Sequence, residues 1–208
     1  MLSQNGQQLQ YPFAGGINGT QFALLDCNFD GVKDLVCFDV QGENIRIFLR
    51  KGNTWEYSPQ YSKYFPQLHG FTQLHDFDKD GKEDIFTNST AGIAVYKNIS
   101  DNILKFELFT SRINSIYYEN QNPINIFCTP ADYVIIKDMD NDGDLEILSF
   151  GALGKYIEYH KNISMEKYGN CQHLEYQALD RCWGKFSESG EDNQIILNDN
   201  CNYKSAFP

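Results

Sequence analysis

The chain has 208 residues, 41% hydrophobic and 14% aromatic, with 17 Lys and Arg against 28 Asp and Glu, for a formal net charge of -11. An acidic balance with no basic cluster repels phosphate backbones and excludes nucleic acid as a partner. No apolar run reaches the roughly 20 residues a membrane-spanning helix needs, and Met1–Gln8 lacks the charged and apolar regions of a signal peptide.

Residues 1–20, with Gln7 to Phe13 and the Gly15-Gly16 pair, read as the end of a preceding repeat or a lead-in strand. A first unit, 21–66, opens on the β-rich run Gln21–Leu25. An acidic loop follows, with Asp26, Asn28, Asp30 and Asp34 at positions 1, 3, 5 and 9 and Gly31 at position 6. Strands are then expected at Leu35–Phe38, at Ile45–Leu49 after Gly42, and around Trp55–Tyr61. The second unit, 67–129, repeats this order: Gly70–Leu74, a loop with Asp76, Asp78, Asp80, Gly81 and Asp84, then Ile85-Phe86, Gly92, Ile93–Tyr96 and Leu104–Thr110. Its tail, Ser111–Thr129, is rich in Asn, Pro and Tyr and reads as a long connection or insertion. The third unit, 130–180, has Tyr133–Ile136, a loop with Asp138, Asp140, Asp142, Gly143 and Glu146, then Ile147–Phe150, Gly154, Tyr156–Tyr159 and His173–Ala178. Residues 181–208 form a cysteine-containing C-terminal extension.

The three loops share the pattern of a calcium site. Oxygen ligands at alternate positions bend the backbone around one hard cation, and glycine at position 6 allows the sharp turn. Without a cation, converging carboxylates repel one another. Magnesium keeps more of its water, and an all-oxygen set is the wrong chemistry for zinc or copper. An EF-hand would need a Glu at position 12, where Cys37, Thr87 and Ser149 stand. Cys27, at position 2 of the first loop, is expected to point away from the ion.

Unit starts lie 50 and then 62 residues apart, a repeat length that reads as a propeller blade or solenoid rung. Four antiparallel strands per unit favour the blade, so the fold class is all-β, as β-propeller blades. The second and third units also share Lys97-Asn98-Ile99-Ser100 and Lys161-Asn162-Ile163-Ser164. Three blades fall short of the usual four or more of a closed propeller. The expectation is a partial propeller, an open arc whose remaining blades belong to a longer chain.

Over roughly residues 20–165 the blocks resemble FG-GAP or VCBS-type repeats, as in integrin α-subunit propellers and many secreted bacterial proteins. Tyr11–Gly16, Gly92–Asn98 and Cys182–Phe186 also look like phrases from exported repeat proteins of Bacteroidetes-type bacteria. The resemblance implies three Ca²⁺ sites. Asp26, Asn28, Asp30, Val32 and Asp34 would hold the first; Asp76, Asp78, Asp80, Lys82 and Asp84 the second; Asp138, Asp140, Asp142, Asp144 and Glu146 the third. Val32, Lys82 and Asp144 would give main-chain carbonyls only. Asn28 removes one charge from the first cage, and Glu146 brings a longer arm than the usual aspartate. The implied role is that of a non-catalytic, secreted or cell-surface segment serving adhesion or binding of a protein or carbohydrate ligand. A lectin-like carbohydrate-binding module, or the scaffold of a calcium-dependent polysaccharide-degrading enzyme, are the alternatives.

Six cysteines permit fifteen pairings and form no Cys-x-x-Cys. Cys182 with Cys201 is the favoured disulfide. Asn18, Asn88, Asn98 and Asn162 begin glycosylation sequons but read as turn residues. The four histidines sit in no catalytic or metal-ligand motif, so no catalytic residue is assigned.

Overall fold

Each acidic loop joins two antiparallel strands, and each hairpin continues into a meander of four. The computed structural model describes residues 3–9, 11, 14–90, 92–117, 120–190, 192 and 194–201. Gln10, Pro12 and Phe13 of the lead-in segment, Tyr118 and Glu119 of the long connection, and 202–208 of the C-terminal extension lie outside them.

Strands β1 (Ser3–Gln4) and β2 (Gln7–Gln8) make a small sheet of their own. Asn5 and Gly6 turn it with φ of 53° and 80°, as a tight hairpin between right-twisted strands demands. The first meander runs β3 (Thr20–Leu25), β4 (Asp34–Asp39), β5 (Asn44–Lys51) and β6 (Thr54–Tyr57) in sequential order. Strand β6 stops short of the expected Tyr61, because Pro59 cannot donate to a ladder and instead opens a 3-10 turn over Pro59–Tyr64. The second meander is β7 (Thr72–His75), β8 (Asp84–Ser89), β9 (Gly92–Asn98) and β10 (Phe106–Thr110).

The expected long connection after β10 is itself a hairpin, β11 (Asn114–Tyr117) and β12 (Asn120–Asn125). It joins the third unit, whose strands are β13 (Ile135–Lys137), β14 (Glu146–Phe150), β15 (Ile157–Asn162) and β16 (Tyr176–Asp180), with a short helix α1 (Ser164–Tyr168) before β16. Strand β11 pairs with β16 in parallel, the exception among antiparallel ladders, and the sheet grows to six strands in the order β12-β11-β16-β15-β14-β13. A last hairpin, β17 (Phe186–Glu188) and β18 (Ile195–Leu197), lies between Cys182 and Cys201, which form the favoured disulfide. The fold is thus all-β, built of antiparallel meanders, and none of these sheets closes on itself.

Side chains alternate across a strand, so a sheet between two others must be apolar on both faces. Strand β8 meets this demand. Ile85 packs with Phe38 of the first sheet, and its neighbour Phe86 belongs to the cluster with Ile136, Ile147 and Tyr176 of the third. Ile113, Ile126 and Cys128, which flank the hairpin, enter that cluster. Leu25, Cys27, Val36, Ile47 and Leu49 line the first sheet's inner face against Leu104. The sheets therefore pack face to face in series. Glycine recurs for different reasons in different units: Gly154 has φ of 69°, whereas a Cβ on Gly92 would lie 2.4 Å from Asn125 Oδ1 of the docked hairpin.

Candidate metal centres

The three loops share one backbone. Position 4 is left-handed in each, at Phe29, Lys79 and Asn141 with φ of 61°, 60° and 65°, and so is the glycine at position 6. Asp26 accepts N–H bonds from Asp30 and Gly31, and Asp76 accepts the same pair from Asp80 and Gly81. Asp138 accepts from Asn141 instead. At position 5, Asp30, Asp80 and Asp142 each accept the amide of position 7, from Val32, Lys82 and Asp144. These bonds bend the chain until its carboxylates face inward, as short polar side chains do in turns.

Position 9 anchors the loop to the sheet. Asp34 accepts N–H bonds from Cys27 and Arg50, and Asp84 from Phe77 and Asn98, all at 2.8–3.1 Å, with both carboxylates fully buried. Burial pushes the Asp84 carboxyl up to about 7 against the pull of those amides, and nearby Asp78 and Asp80 raise it further. Glu146 anchors its loop through one amide, that of Met139, and burial lifts it to about 7 as well. Cys27 is buried in the apolar cluster, directed away from the loop as expected, and its thiol is pushed up chiefly by desolvation.

Convergence differs among the loops. Ligand oxygens of Asp76, Asp78 and Asp84 lie within 4.8 Å of one another, and so do those of Asp138, Asp140 and Glu146. In the second loop, buried Asp78 Oδ1 has no hydrogen-bond partner, a costly state for an anionic oxygen that a cation would relieve. The donor set is all oxygen, so a hard divalent ion suits both loops. In the first loop no three carboxylates meet in this way, since Asn28 takes one place and its amide bonds Asp30 at 2.9 Å.

One expectation needs correction. Asp144 does more than offer a carbonyl: its side chain is fully buried and groups with those of Asp142 and Glu146.

Two lysines were not assigned from the sequence. Lys97 reaches Asp78 directly and Asp80 at 3.8 Å, and Lys161 reaches Asp140, Asp142 at 3.3 Å and Glu166 at 2.5 Å. Ladder register makes them equivalent. Leu35, Ile85 and Ile147, each just after position 9, pair with Phe48, Tyr96 and His160, and the next residues are Leu49, Lys97 and Lys161. The first loop thus has a buried leucine where the others have an ammonium. The shared Lys-Asn-Ile-Ser phrase carried this signal. Its asparagines hold the turn that follows, since Asn98 and Asn162 are buried and accept the amides of Ser100 and Ser164. With Asn88 also buried, three of the four sequon asparagines are turn and core residues.

No family model and no curated protein matches the chain. Among solved structures, it is similar to a lectin of Agrocybe aegerita, described as specifically recognising non-reducing terminal N-acetylglucosamine. The likeness has a TM-score of 0.44 at 15% identity and covers 78% of this chain. This chain spans 39% of that protein's length. No helix among the described residues is long and apolar enough to cross a membrane.

Proposed function

We propose that the chain is a non-catalytic, calcium-stabilised segment of a β-propeller of FG-GAP or VCBS type, working outside the cell as a scaffold for recognition of a protein or carbohydrate partner. The observation that carries this reading is the second loop, where Asp76, Asp78 and Asp84 converge and buried Asp78 Oδ1 lacks a partner. The same loop backbone recurs at the head of each four-stranded meander, where an ion would tie the first two strands together. The position-9 carboxylates, Asp34, Asp84 and Glu146, accept backbone amides and are buried in the sheet ends, which suits staples better than reacting groups. The Cys182–Cys201 disulfide suits an oxidising compartment.

Calorimetric titration with calcium is expected to give dissociation constants of about 10⁻⁴ to 10⁻³ M, the range of extracellular modules, and chelation should lower the melting temperature. Asp78→Ala should weaken the second site about tenfold or more while the third persists. Absence of calcium binding at millimolar concentration would overturn the reading.

The lysines add a sharper expectation. Lys97 already supplies positive charge to Asp78 and Asp80, so it opposes an incoming cation. Lys97→Leu, which installs the residue of the first unit, should tighten the second site severalfold. Weaker binding in that variant would mean the lysine positions the carboxylates rather than competing.

A further inference from the structure

We propose that the third loop takes two divalent cations, the second held by Asp142, Asp144 and Glu146; this rests on reading the loops as calcium sites. The ligand oxygens of these three residues lie within 4.8 Å of one another, in a grouping distinct from that of Asp138, Asp140 and Glu146. Neither other loop can build it, because position 7 holds Val32 or Lys82.

Two buried oxygens point to the occupant. Asp144 and Glu146 are both 0% exposed, and each gives one oxygen to a backbone amide: Met165 N–H donates to Asp144 Oδ2 at 2.9 Å, and Met139 N–H to Glu146 Oε2 at 2.6 Å. The remaining oxygens, Asp144 Oδ1 and Glu146 Oε1, have no partner when both carboxylates are ionised. With both carboxylates ionised they only accept and cannot satisfy each other; without an ion they are satisfied by sharing one proton, and a divalent cation between them would displace that proton and answer both. Glu146 belongs to both groupings and bridges the two ions, a role suited to an arm one methylene longer than Asp34 or Asp84.

Charge leads to the same count. The first loop carries three carboxylates. The second has four at its ligand positions, offset by the Lys97 ammonium, so the ligand groups of both have three net negative charges. With every carboxylate ionised, the third gathers Asp138, Asp140, Asp142, Asp144, Glu146 and Glu166 around a single ammonium, that of Lys161, leaving five. One divalent ion would reduce the second loop to a single negative charge. The third needs two ions to reach the same balance. Lys161 already meets Asp142 at Oδ2, which leaves Asp142 Oδ1, the acceptor of the Asp144 amide, for the second ion.

The test is anomalous X-ray scattering from crystals of the full chain loaded with Mn²⁺, with calcium counted in parallel by native mass spectrometry. The expected result is two peaks in the third loop beside one in the second, falling to one in the third loop of Asp144→Asn with the second loop unchanged. One peak in each of these loops of the unaltered chain overturns the inference and leaves the calcium reading intact. No peak in any loop overturns both. The count from the unaltered chain decides the matter if Asp144→Asn does not fold.

Discussion

Truncating Phe86 to alanine is expected to destabilise the fold by about 3–5 kcal/mol, the cost of removing a buried aromatic ring and leaving its space unfilled. Phe86 is completely buried on β8, the strand whose two faces serve two different sheet interfaces. It meets Phe77 edge-on at a centroid distance of 6.2 Å and His75 at 5.9 Å, and its cluster reaches Ile136, Ile147 and Tyr176 of the third sheet. Neighbours held by two ladders cannot collapse into the gap. Urea unfolding measures the loss, with exposed Leu108→Ala on β10 as the control expected to shift stability by less than about 0.5 kcal/mol. A loss below about 1 kcal/mol at Phe86 would contradict face-to-face packing of the second and third sheets.

Acid should remove the stability that the neutral His160 ring contributes. This ring is fully buried between Ser115, 3.0 Å from Nδ1, and Ser149, 3.4 Å from Nε2, and burial pushes its pKa down to about 3, assisted by the Arg181 charge. Glu158 lies 3.6 Å away and favours the protonated ring, but it is itself engaged by Arg181 and the Tyr117 hydroxyl. Because the folded pKa lies below the ordinary value of 6.5, the unfolded chain binds the proton first. The His160 contribution is then full above pH 6.5 and falls as the pH drops towards 3. The loss is about 2 kcal/mol by about pH 5, from the free-energy equivalent of each pKa unit. Melting curves of the native chain and His160→Gln between about pH 4.5 and 7.5 should converge as pH falls. Parallel curves would show that the ring does not titrate with unfolding.

The loops were legible because their chemistry is local: alternating carboxylates with glycine at position 6 define a turn whatever surrounds it, and the position-4 backbone obeys in every copy. Strand positions followed from β-rich runs. The β11–β12 hairpin was hidden for a physical reason. Pro123 weakens the strand signal of β12, and the partner of β11 lies about sixty residues on, in β16. Lys97 and Lys161 were visible as a repeated phrase, but their meeting with the loops depends on ladder register across three strands. Asp144 was misjudged because position 7 ordinarily contributes only its carbonyl. Its burial depends on α1, five residues whose Met165 amide reaches back to the loop.

The parallel ladder of β11 with β16 also decides what the third sheet shows its neighbours in solution. Without it, β16 would be an outer strand with a free row of amides and carbonyls, open to pairing with another molecule. The docked hairpin moves that boundary to β12, where Pro123 has no amide hydrogen to offer. The ladder from Ser115 to Tyr176 also closes a loop of chain around the whole third unit, so β16 is held from both sides. One short hairpin thereby covers the edge that β16 would otherwise expose.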